Sequence, residues 1–312
     1  MSDTVLVTGA AGYIGCILIP ELLGRGYKVI GLDTYNRSDT TLAHVVANRN
    51  FEPVRGDARD EGLLKDLASR ADIAIPLAAL VGAPLCKQDP IAARTTNYDA
   101  IVSLMKLMGK EQRILYPTTN SGYGIGQKGV FCTEETPLNP ISLYGVTKVD
   151  AEKAILDHGN GITLRLATVF GMAPRMRIDL LVNDFTYRAV NDRAVVIFEG
   201  DAKRNYIHVR DVAKTFLHAI DNYCTMKGKP YNVGLSSANL SKLELCDKIR
   251  EYIPEFVSLT APIGEDPDKR DYIVSNERLE NTGWVPDHTI DMGIQELIRG
   301  YRMIRNGRYS NV

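Results

Sequence analysis

The chain of 312 residues is long enough for one large α/β domain, or for such a domain with a smaller lobe. Hydrophobic residues make up 45% of the chain and charged residues 24%, a balance typical of a globular protein in water. The formal net charge of −1 gives no broad basic surface of the kind that nucleic acid or a membrane attracts, so we expect neither partner.

The 5 cysteines and 5 histidines are scattered along the chain without a paired spacing. An odd, dispersed set of cysteines indicates reduced thiols and no disulfide framework or zinc site. No basic region of a signal peptide precedes the first apolar run, and no apolar run reaches the length of a membrane span. We therefore expect a cytoplasmic protein that holds no metal.

The first informative stretch is TVLVTGAAGYIG, at residues 4–15. An apolar run at 5–7 predicts a buried strand, and an apolar segment at 14–23 predicts a helix. Between them lie Gly9, Gly12 and Gly15, which allow close approach of the backbone to a ligand. Because a helix N-terminus presents free N–H groups, this stretch predicts a pyrophosphate site. The alternative is a helix start that needs glycine only for its backbone conformation.

A second strand is predicted at residues 29–32, and Asp33 follows it directly. An acidic residue at this distance from the glycines can accept hydrogen bonds from both hydroxyls of an adenosine ribose. Its charge would repel a 2′-phosphate, which favours NAD over NADP as the cofactor. Arg37 lies close enough in the chain to leave NADP open.

Strand and helix signals alternate through the first half of the chain. Further strands are predicted at 51–54, 73–77, 114–116 and 162–166, and helices at 61–69, 91–108 and 144–158. This alternation predicts a doubly wound parallel sheet, the Rossmann arrangement, over residues 1–170. Shorter elements follow, with helices at 180–190, 211–222, 240–252 and 290–305 and a strand at 195–198. They predict a smaller mixed α/β substrate lobe over residues 171–312, interleaved with the first domain and packed at the carboxyl edge of the sheet.

The second informative stretch begins where the strand at 114–116 runs into PTTNSGYG. On the following helix, Tyr144 and Lys148 are four residues apart and share one face. A tyrosine pKa near 10 is too high for a base at neutral pH, but a nearby ammonium and a positive nicotinamide would both lower it. A hydroxyl of Thr118 or Thr119 can hold the substrate alcohol, so the stretch predicts a site of hydride transfer.

A second tyrosine–lysine pair with this spacing, Tyr223 and Lys227, follows no strand that ends in hydroxyl residues. We interpret it as a solvated helix end.

The segments TGAAGYIG, GDARD, LAALVGAP, TTNSGYG, YGVTK and RNYIHVRDV occur in this order along nearly the whole chain. They resemble the extended short-chain dehydrogenase/reductases that act on nucleotide sugars. The resemblance implies that Thr119 is the catalytic hydroxyl, Tyr144 the base and Lys148 the residue that orients the nicotinamide ribose. The cofactor contacts that it implies are Gly9, Gly12, Tyr13, Ile14 and Gly15 at the pyrophosphate, Asp33 and Asn36 at the adenosine ribose, Asp57 and Ala58 at the adenine, and Leu77, Ala78 and Ala79 at the nicotinamide.

The same resemblance places a nucleotide-diphosphate sugar in the remaining cleft. Arg204 matches the arginine that binds the diphosphate in this family, and Arg270 is a second candidate; a surface or interlobe salt bridge is the alternative for each. The other candidate substrate contacts are Thr118, Thr119, Asn120, Ser121 and Asn183, with Tyr123, Arg175 and Arg177 as further residues of the cleft. Cys86 can lie near the sugar, although a small buried residue is the favoured interpretation.

One departure from the family narrows the reaction. The 4,6-dehydratases carry Asp-Glu directly after the catalytic threonine, whereas this chain has Asn120 and Ser121, neither of which is a carboxylic acid. The resemblance therefore favours oxidation of C4 to a ketone over elimination of water. The hydride then either returns to the opposite face, which makes a 4-epimerase, or the keto sugar is released.

Further segments, LVGAPLCK, TTNSGYGIG, TVFGMAPRMRIDLLVNDFTYRA, NVGLSSANLSK and IGEDPDKRDYIVSN, resemble the GDP-D-glycero-D-manno-heptose 4-dehydrogenase branch of bacterial capsule pathways. This favours a GDP-sugar. A nucleotide-uronate decarboxylase is a weaker alternative, because it needs an arginine for the sugar carboxylate that the sequence does not place. A non-catalytic NAD-binding module is disfavoured by the presence of Thr119, Tyr144 and Lys148 together.

The resemblance also implies a homodimer, in which the helices at 91–108 and 144–158 pair across a two-fold axis as a four-helix bundle. The apolar stripe of Ile101, Leu104, Met105 and Met108 fits this interface. It fits docking of the helix on the sheet equally well.

Overall fold

A large parallel sheet with helices on both faces forms the centre of the computed structural model, which describes residues 2–37, 40–261 and 270–304. The strands are β1 (Thr4–Thr8), β2 (Lys28–Asp33), β3 (Phe51–Arg55), β4 (Ile73–Pro76), β5 (Arg113–Thr119), β6 (Phe131–Cys132), β7 (Gly161–Leu166), β8 (Thr168–Phe170), β9 (Ala194–Ile197), β10 (Lys203–His208), β11 (Pro230–Val233), β12 (Asn239–Ser241), β13 (Val257–Thr260) and β14 (Ile273–Val274).

The helices are α1 (Gly15–Gly24), α2 (Glu61–Ser69), α3 (Ala83–Gln88), α4 (Pro90–Arg94), α5 (Ala100–Leu107), α6 (Leu143–His158), α7 (Leu181–Asn191), α8 (Val209–Asp221), α9 (Tyr223–Met226), α10 (Lys242–Tyr252), α11 (Glu277–Glu280) and α12 (Ile290–Tyr301). In the described part of the chain, none of them is long and apolar enough to cross a membrane.

The seven-stranded sheet has the order β11-β7-β5-β4-β1-β2-β3, and its neighbouring strands are parallel. The chain proceeds outward from β1 in one direction to β3 and then continues on the other side at β4. The strand order thus reverses between β1 and β4, and in sheets of this kind ligands bind outside the carboxyl ends at that point. The predicted doubly wound parallel sheet is confirmed.

The second half of the chain contributes both to this sheet and to smaller ones. β11 lies beside β7 at one edge of the large sheet. The remaining strands of this half form short sheets, β12-β10-β8, β13-β9 and β14-β6, the last of which also includes β6 from the first half. The sequence pattern indicated these sheets only in part. The large sheet therefore includes a strand from beyond residue 171.

The helix predicted over 91–108 is continuous in the structure, but a π-helical turn inside it was not predicted. The structure has α4, a π-helical turn at Thr95–Asp99, and then α5. Within that turn, the buried Asn97 side chain accepts a hydrogen bond from the Leu80 N–H (2.8 Å) and donates one to the Leu80 carbonyl (2.9 Å). These contacts with a distant segment compensate for the irregular helix geometry.

The apolar stripe on α5 faces the sheet. Ile101, Leu104 and Met108 are buried in one cluster with side chains of β1, β2 and β5. Because they are covered within the monomer, they supply no argument for a dimer. The large apolar side chains that stay exposed nearby are Ile91 of α4 and Val146 of α6.

Candidate active site

The glycine turn after β1 forms one wall of a cavity at the carboxyl ends of the strands. Gly9 has a positive φ of 71°, and a Cβ there would lie 2.6 Å from the Ala78 nitrogen. A Cβ on Gly15 would lie 2.4 Å from the Ala10 carbonyl oxygen. Helix α1 begins at Gly15 with no side chain capping its N-terminus, and the N–H groups of Cys16 and Ile17 donate to the carbonyls of Gly12 and Ile14. The positive end of the helix dipole still favours an anion at this position.

Asp33, at the end of β2, lies at one end of this cavity. Its carboxylate accepts hydrogen bonds from the N–H groups of Ala11 (3.0 Å) and Tyr35 (2.9 Å), which ties the glycine turn to β2. Asn36 and Arg37 line the cavity beside it. Asp57 also lines it, and a hydrogen bond and ion pair with Arg59 hold the Asp57 pKa below its usual value.

The opposite wall is built by β5 and α6. Thr119, the last residue of β5, accepts a hydrogen bond from the Ser121 N–H (3.1 Å) and donates one to the Ser121 hydroxyl (2.9 Å). Thr119 also hydrogen-bonds with the Tyr144 hydroxyl. Thr118 is buried and lines the cavity, and its hydroxyl has no partner among the described residues. The two strand-end threonines are thus placed to hold an alcohol of a ligand.

Burial dominates the electrostatics of Tyr144 and Lys148. It raises the Tyr144 pKa to about 12, although the positive charges of Arg270 and Arg177 oppose it. It lowers the Lys148 pKa to about 7, although the negative charge of Glu152 opposes it. The net direction is opposite to the predicted lowering of the Tyr144 pKa, and Lys148 is not among the charges that act on Tyr144. The physical reason is that both side chains lose more hydration than their neighbours replace.

The cavity has a volume of about 760 Å³ and brings most of the predicted site residues together. The predicted residues that line it are Gly9, Gly12, Tyr13, Ile14, Gly15, Asp33, Asn36, Asp57, Ala58, Leu77, Ala78, Ala79, Thr118, Thr119, Ser121, Tyr144, Lys148, Arg204 and Arg270. A space of this size and polarity fits an extended ligand with both apolar and charged parts.

Two predicted substrate contacts lie outside this lining. Asn183 is fully buried in α7, where its side chain accepts from the Gly171 N–H (3.0 Å) and donates to the Tyr13 hydroxyl (3.2 Å). Asn120 is 1% exposed, and its amide atoms have no partner among the described residues. Their positions do not support direct contact of either residue with a substrate. Asn183 instead joins the glycine turn, through Tyr13, to the C-terminal part of the chain.

Burial decides three other interpretations: it agrees with that of Cys86 and corrects those of Tyr123 and Tyr223. Tyr123 lies outside the cavity, because its hydroxyl donates within a buried network to Asn232 (2.7 Å). Cys86 is fully buried and does not line the cavity. This agrees with the favoured interpretation of Cys86 as a small buried residue. Tyr223 is buried with its hydroxyl 2.6 Å from the Asn160 carbonyl oxygen, so its helix end is not solvated there, although Lys227 is exposed.

Arginines from the C-terminal half surround the inner part of the cavity. Arg204 donates to the Arg270 carbonyl, and Arg270 donates to the Ser121 hydroxyl. Arg177 lines the cavity while its guanidinium makes a two-pronged ion pair with Asp179 at 2.7–3.1 Å. Arg175 lines it too, and burial with the charges of Arg177 and Arg37 lowers its pKa. This concentration of guanidinium groups suits phosphate or carboxylate ligands.

The lining also includes residues that the sequence analysis missed, among them Ser142 and Tyr272. Ser142 caps α6, since its hydroxyl accepts a hydrogen bond from the Gly145 N–H (3.2 Å). A serine directly before a helical segment is a recognisable capping signal that could have indicated it. Tyr272 carries no such local signal, because only the tertiary fold brings it to the cavity.

These features fit a dinucleotide. The crowded positions of Gly9 and Gly15 leave no room for a side chain, the uncapped start of α1 faces the cavity, and Asp33 lies at the far end. Tyr144, Lys148 and Thr119 line the same cavity. A dinucleotide with its pyrophosphate at α1 would extend its reactive ring toward these three side chains.

Comparisons with known proteins agree with this arrangement. Residues 5–234 match the model of the NAD dependent epimerase/dehydratase family. Low-salt glycan biosynthesis protein Agl12 of Haloferax volcanii is 30% identical over 95% of this chain and 98% of its own. UDP-glucuronic acid decarboxylase 1 of Arabidopsis thaliana is 26% identical over 96% of this chain and 69% of its own.

Among solved structures, the UDP-glucuronic acid 4-epimerase of Bacillus cereus, in complex with UDP-glucuronic acid and NAD, has the same fold. Its TM-score is 0.85 at 22% identity, with 96% of this chain and 99% of that chain covered. The family match extends over well more than half of the sequence and includes the glycine turn, Thr119, Tyr144 and Lys148. The chain therefore belongs to the NAD-dependent epimerase/dehydratase family, and it is an enzyme with NAD as its cofactor.

Proposed function

We propose that this enzyme oxidises the C4 hydroxyl of a nucleotide-diphosphate sugar to a ketone. The observation that carries the proposal is that Thr119, Tyr144 and Lys148 line the same cavity as the glycine turn. NAD, when bound, supplies the hydride acceptor. Thr119 and Tyr144 hold the sugar hydroxyl, and Tyr144 takes its proton as the C–H bond breaks.

The raised pKa of Tyr144 requires positive charge near its oxygen before it can act as a base. Arg177 and Arg270 already act in that direction, and burial outweighs them in the ligand-free protein. The ammonium form of Lys148 and the positive nicotinamide ring add to them in the complex. Proton removal is therefore expected only when cofactor and substrate occupy the cavity together.

Elimination of water is not part of the proposal. Asn120 and Ser121 follow Thr119, and neither supplies the acid that loss of a hydroxyl needs. Two carboxylates line the inner cavity, Asp179 and Asp184, and each is paired with an arginine, Arg177 or Arg188. Burial raises the Asp184 pKa although the Arg188 guanidinium opposes it, and neither carboxylate occupies the position directly after Thr119.

The finer proposal is a GDP-sugar substrate, GDP-D-glycero-D-manno-heptose, with release of the 4-keto sugar. It rests on the sequence segments that resemble that branch, which include the cavity residues Ser121 and Arg270. Arg204 and Arg270 are proposed to bind the diphosphate, since a guanidinium can donate two parallel hydrogen bonds to phosphate oxygens.

A nucleotide uronate is a second candidate, as substrate of a 4-epimerase or a decarboxylase. Arg177 and Arg270 lie close enough to Tyr144 for their charges to lower its pKa. A nucleotide-uronate enzyme needs an arginine near the sugar to bind its carboxylate. The sequence alone did not indicate which arginine this would be. Relatives of this chain include UDP-glucuronic acid decarboxylase 1 and UDP-glucuronate 4-epimerase 2 of Arabidopsis thaliana.

The experiment is to incubate the purified enzyme with NAD and, separately, with GDP-D-glycero-D-manno-heptose, UDP-glucose and UDP-glucuronate. Stoichiometric NADH with a 4-keto product from the GDP-heptose supports the proposal. A C4 epimer without net NADH indicates the epimerase, and release of carbon dioxide from the uronate indicates the decarboxylase. Y144F should bind NAD but lose about 10²–10⁴-fold in rate. Turnover by Y144F at the wild-type rate would contradict the assignment of the base.

We also propose a homodimer through α5 and α6. With the stripe on α5 buried, the support that remains is the resemblance and the exposed Val146 on α6. Sedimentation equilibrium of the wild type and of Val146→Glu tests this, and a monomeric wild type would contradict it.

A further inference from the structure

Glu152 lies one helical turn beyond Lys148 on α6, behind the wall of the cavity. Residues four apart on a helix share a face, so its carboxylate lies on the same side of α6 as the lysine amine. Glu152 is 2% exposed and does not line the cavity, so it is not placed to touch a cofactor or substrate. Any effect that it has on the reaction must act through another side chain.

Arg165 of β7 fixes the Glu152 carboxylate. Two guanidinium nitrogens of Arg165 donate to Oε1 of Glu152, at 2.9 and 2.7 Å. The third nitrogen donates to the Tyr123 hydroxyl (3.0 Å) and to the Glu134 carbonyl (3.1 Å). The guanidinium is thus held by three segments of the chain, and the position of the carboxylate is set by β7 as well as by α6.

The second oxygen of Glu152, Oε2, is buried without a hydrogen-bond partner among the described residues. A carboxylate oxygen that is buried without a hydrogen-bond partner destabilises the folded protein. We therefore expect its negative charge to stabilise a nearby positive charge. No ion pair within 4 Å joins it to Lys148 in the part of the chain that the structure describes. Its field nevertheless acts on the Lys148 amine and opposes the effect of burial there.

The ammonium form of Lys148 is buried, so it depends on nearby negative charge for stabilisation. The side chain is 4% exposed, and its Nζ lies 3.9 Å from the centre of the Tyr116 ring of β5. The face of an aromatic ring favours an ammonium ion. The other titratable or charged groups around this position are Tyr144 and Glu152 of α6 and Arg165 of β7 behind Glu152. Near Tyr144 there are also the Cys86 thiol of α3 and the guanidinium groups of Arg177 and Arg270. Of these, Glu152 is the group whose charge favours the ammonium form.

We propose that Glu152 is a positioning residue: held by Arg165, its carboxylate keeps Lys148 as an ammonium ion on the Tyr116 ring, beside Tyr144. This rests on the role of Lys148 in the proposed function.

The test measures the ionisation of Lys148 itself and needs no substrate. Protein labelled with ¹⁵N at the lysine side chains is titrated by NMR, and the Lys148 resonance is identified by its absence in K148M. We expect E152Q, which keeps an oxygen for Arg165 but loses the charge, to lower the Lys148 midpoint by about one pH unit. D150N, which removes an exposed carboxylate from the same helix, should leave the midpoint unchanged.

E152D separates charge from packing. It retains the carboxylate, so its midpoint should lie nearer to the wild-type value than to that of E152Q. The proposal is overturned if E152Q leaves the Lys148 midpoint in place, or if E152D displaces it as far as E152Q does. If E152Q does not fold, the test depends on E152D alone. E152D keeps the negative charge, so a fall of about one pH unit in its Lys148 midpoint would show that the charge of the carboxylate does not set the ionisation of Lys148. If no nucleotide sugar reacts, the proposed function is wrong. The measured effect of Glu152 on the Lys148 midpoint would still stand.

Discussion

The hydroxyl of Thr119 donates to the hydroxyl of Ser121 across 2.9 Å, while the Ser121 N–H donates back to Thr119. These two hydrogen bonds fix the Thr119 hydroxyl against Ser121, and the Thr119 side chain also acts to lower the Tyr144 pKa. Ser121 thus orients the Thr119 hydroxyl, which is proposed to hold the substrate.

Ser121→Ala should lower the rate of NADH formation about tenfold, because the Thr119 hydroxyl loses its acceptor and a single hydrogen bond contributes about 0.5–1.5 kcal/mol. The measurement is the steady-state rate with GDP-D-glycero-D-manno-heptose and saturating NAD. Ser103→Ala, at a serine whose hydroxyl donates to Glu61 away from the catalytic wall, is the control and should keep the wild-type rate. An unchanged rate in S121A would show that Thr119 does not depend on Ser121.

Gly9→Ala tests the close packing of the glycine turn against β4. The new Cβ would lie 2.6 Å from the Ala78 nitrogen at a φ of 71°. Gly26 has a similar φ of 84°, but no heavy atom lies within 4 Å of its Cβ position. Gly26→Ala therefore destabilises the protein only through the unfavourable φ, without a steric clash. We expect G9A to be less stable than G26A by about 1–3 kcal/mol, the usual cost of overpacking. Urea denaturation checks this, and equal losses in both variants would refute the packing argument.

Asn183→Ala tests whether this side chain supports the fold rather than the substrate. Its removal leaves the buried Gly171 N–H without an acceptor and the Tyr13 hydroxyl without a donor, which should cost about 1–3 kcal/mol of unfolding free energy. Asn191→Ala on the same helix removes an exposed contact and should cost less than about 0.5 kcal/mol. Calorimetry should also show weaker NAD binding by N183A. A variant of full stability with altered selectivity among sugar nucleotides would restore the original interpretation.

Glu296 gives stability that depends on pH. Burial raises its pKa, but hydrogen bonds from His208 (2.8 Å) and Arg210 (2.6 Å) outweigh burial and lower it from 4.5 to about 2. Because the folded-state pKa is depressed, this contribution is fully present above pH 4.5 and is lost as the pH falls toward 2.

Glu296→Gln should therefore reduce the unfolding free energy by about 2 kcal/mol at neutral pH. The difference from wild type should shrink below about pH 4.5, where unfolded wild-type protein takes up the proton. Urea unfolding curves at a series of pH values measure it, with Glu251→Gln, an exposed carboxylate of α10, as the control. A difference that stays constant with pH would mean that the charge of Glu296 is not responsible.

The sequence by itself determined the elements whose signal is local. A short apolar run, three glycines and an apolar helix specify the strand, turn and helix around Gly9 because their periodicity and backbone requirements lie within a dozen residues. The spacing of Tyr144 and Lys148 specifies a shared helix face for the same reason. The alternation of strands and helices then specifies a parallel sheet, since each crossover needs a helix.

Only the tertiary structure decided what depends on segments far apart in the chain. The pKa values of Tyr144 and Lys148 follow from how deeply both side chains are buried, and burial cannot be read from their spacing. The π-helical turn around Asn97 depends on Leu80, and the inward orientation of Asn183 depends on Tyr13. The approach of Arg177 and Arg270 to Tyr144 depends on how the C-terminal half packs on the sheet. Hydration and charge act through space, so their balance becomes defined only when the chain is folded.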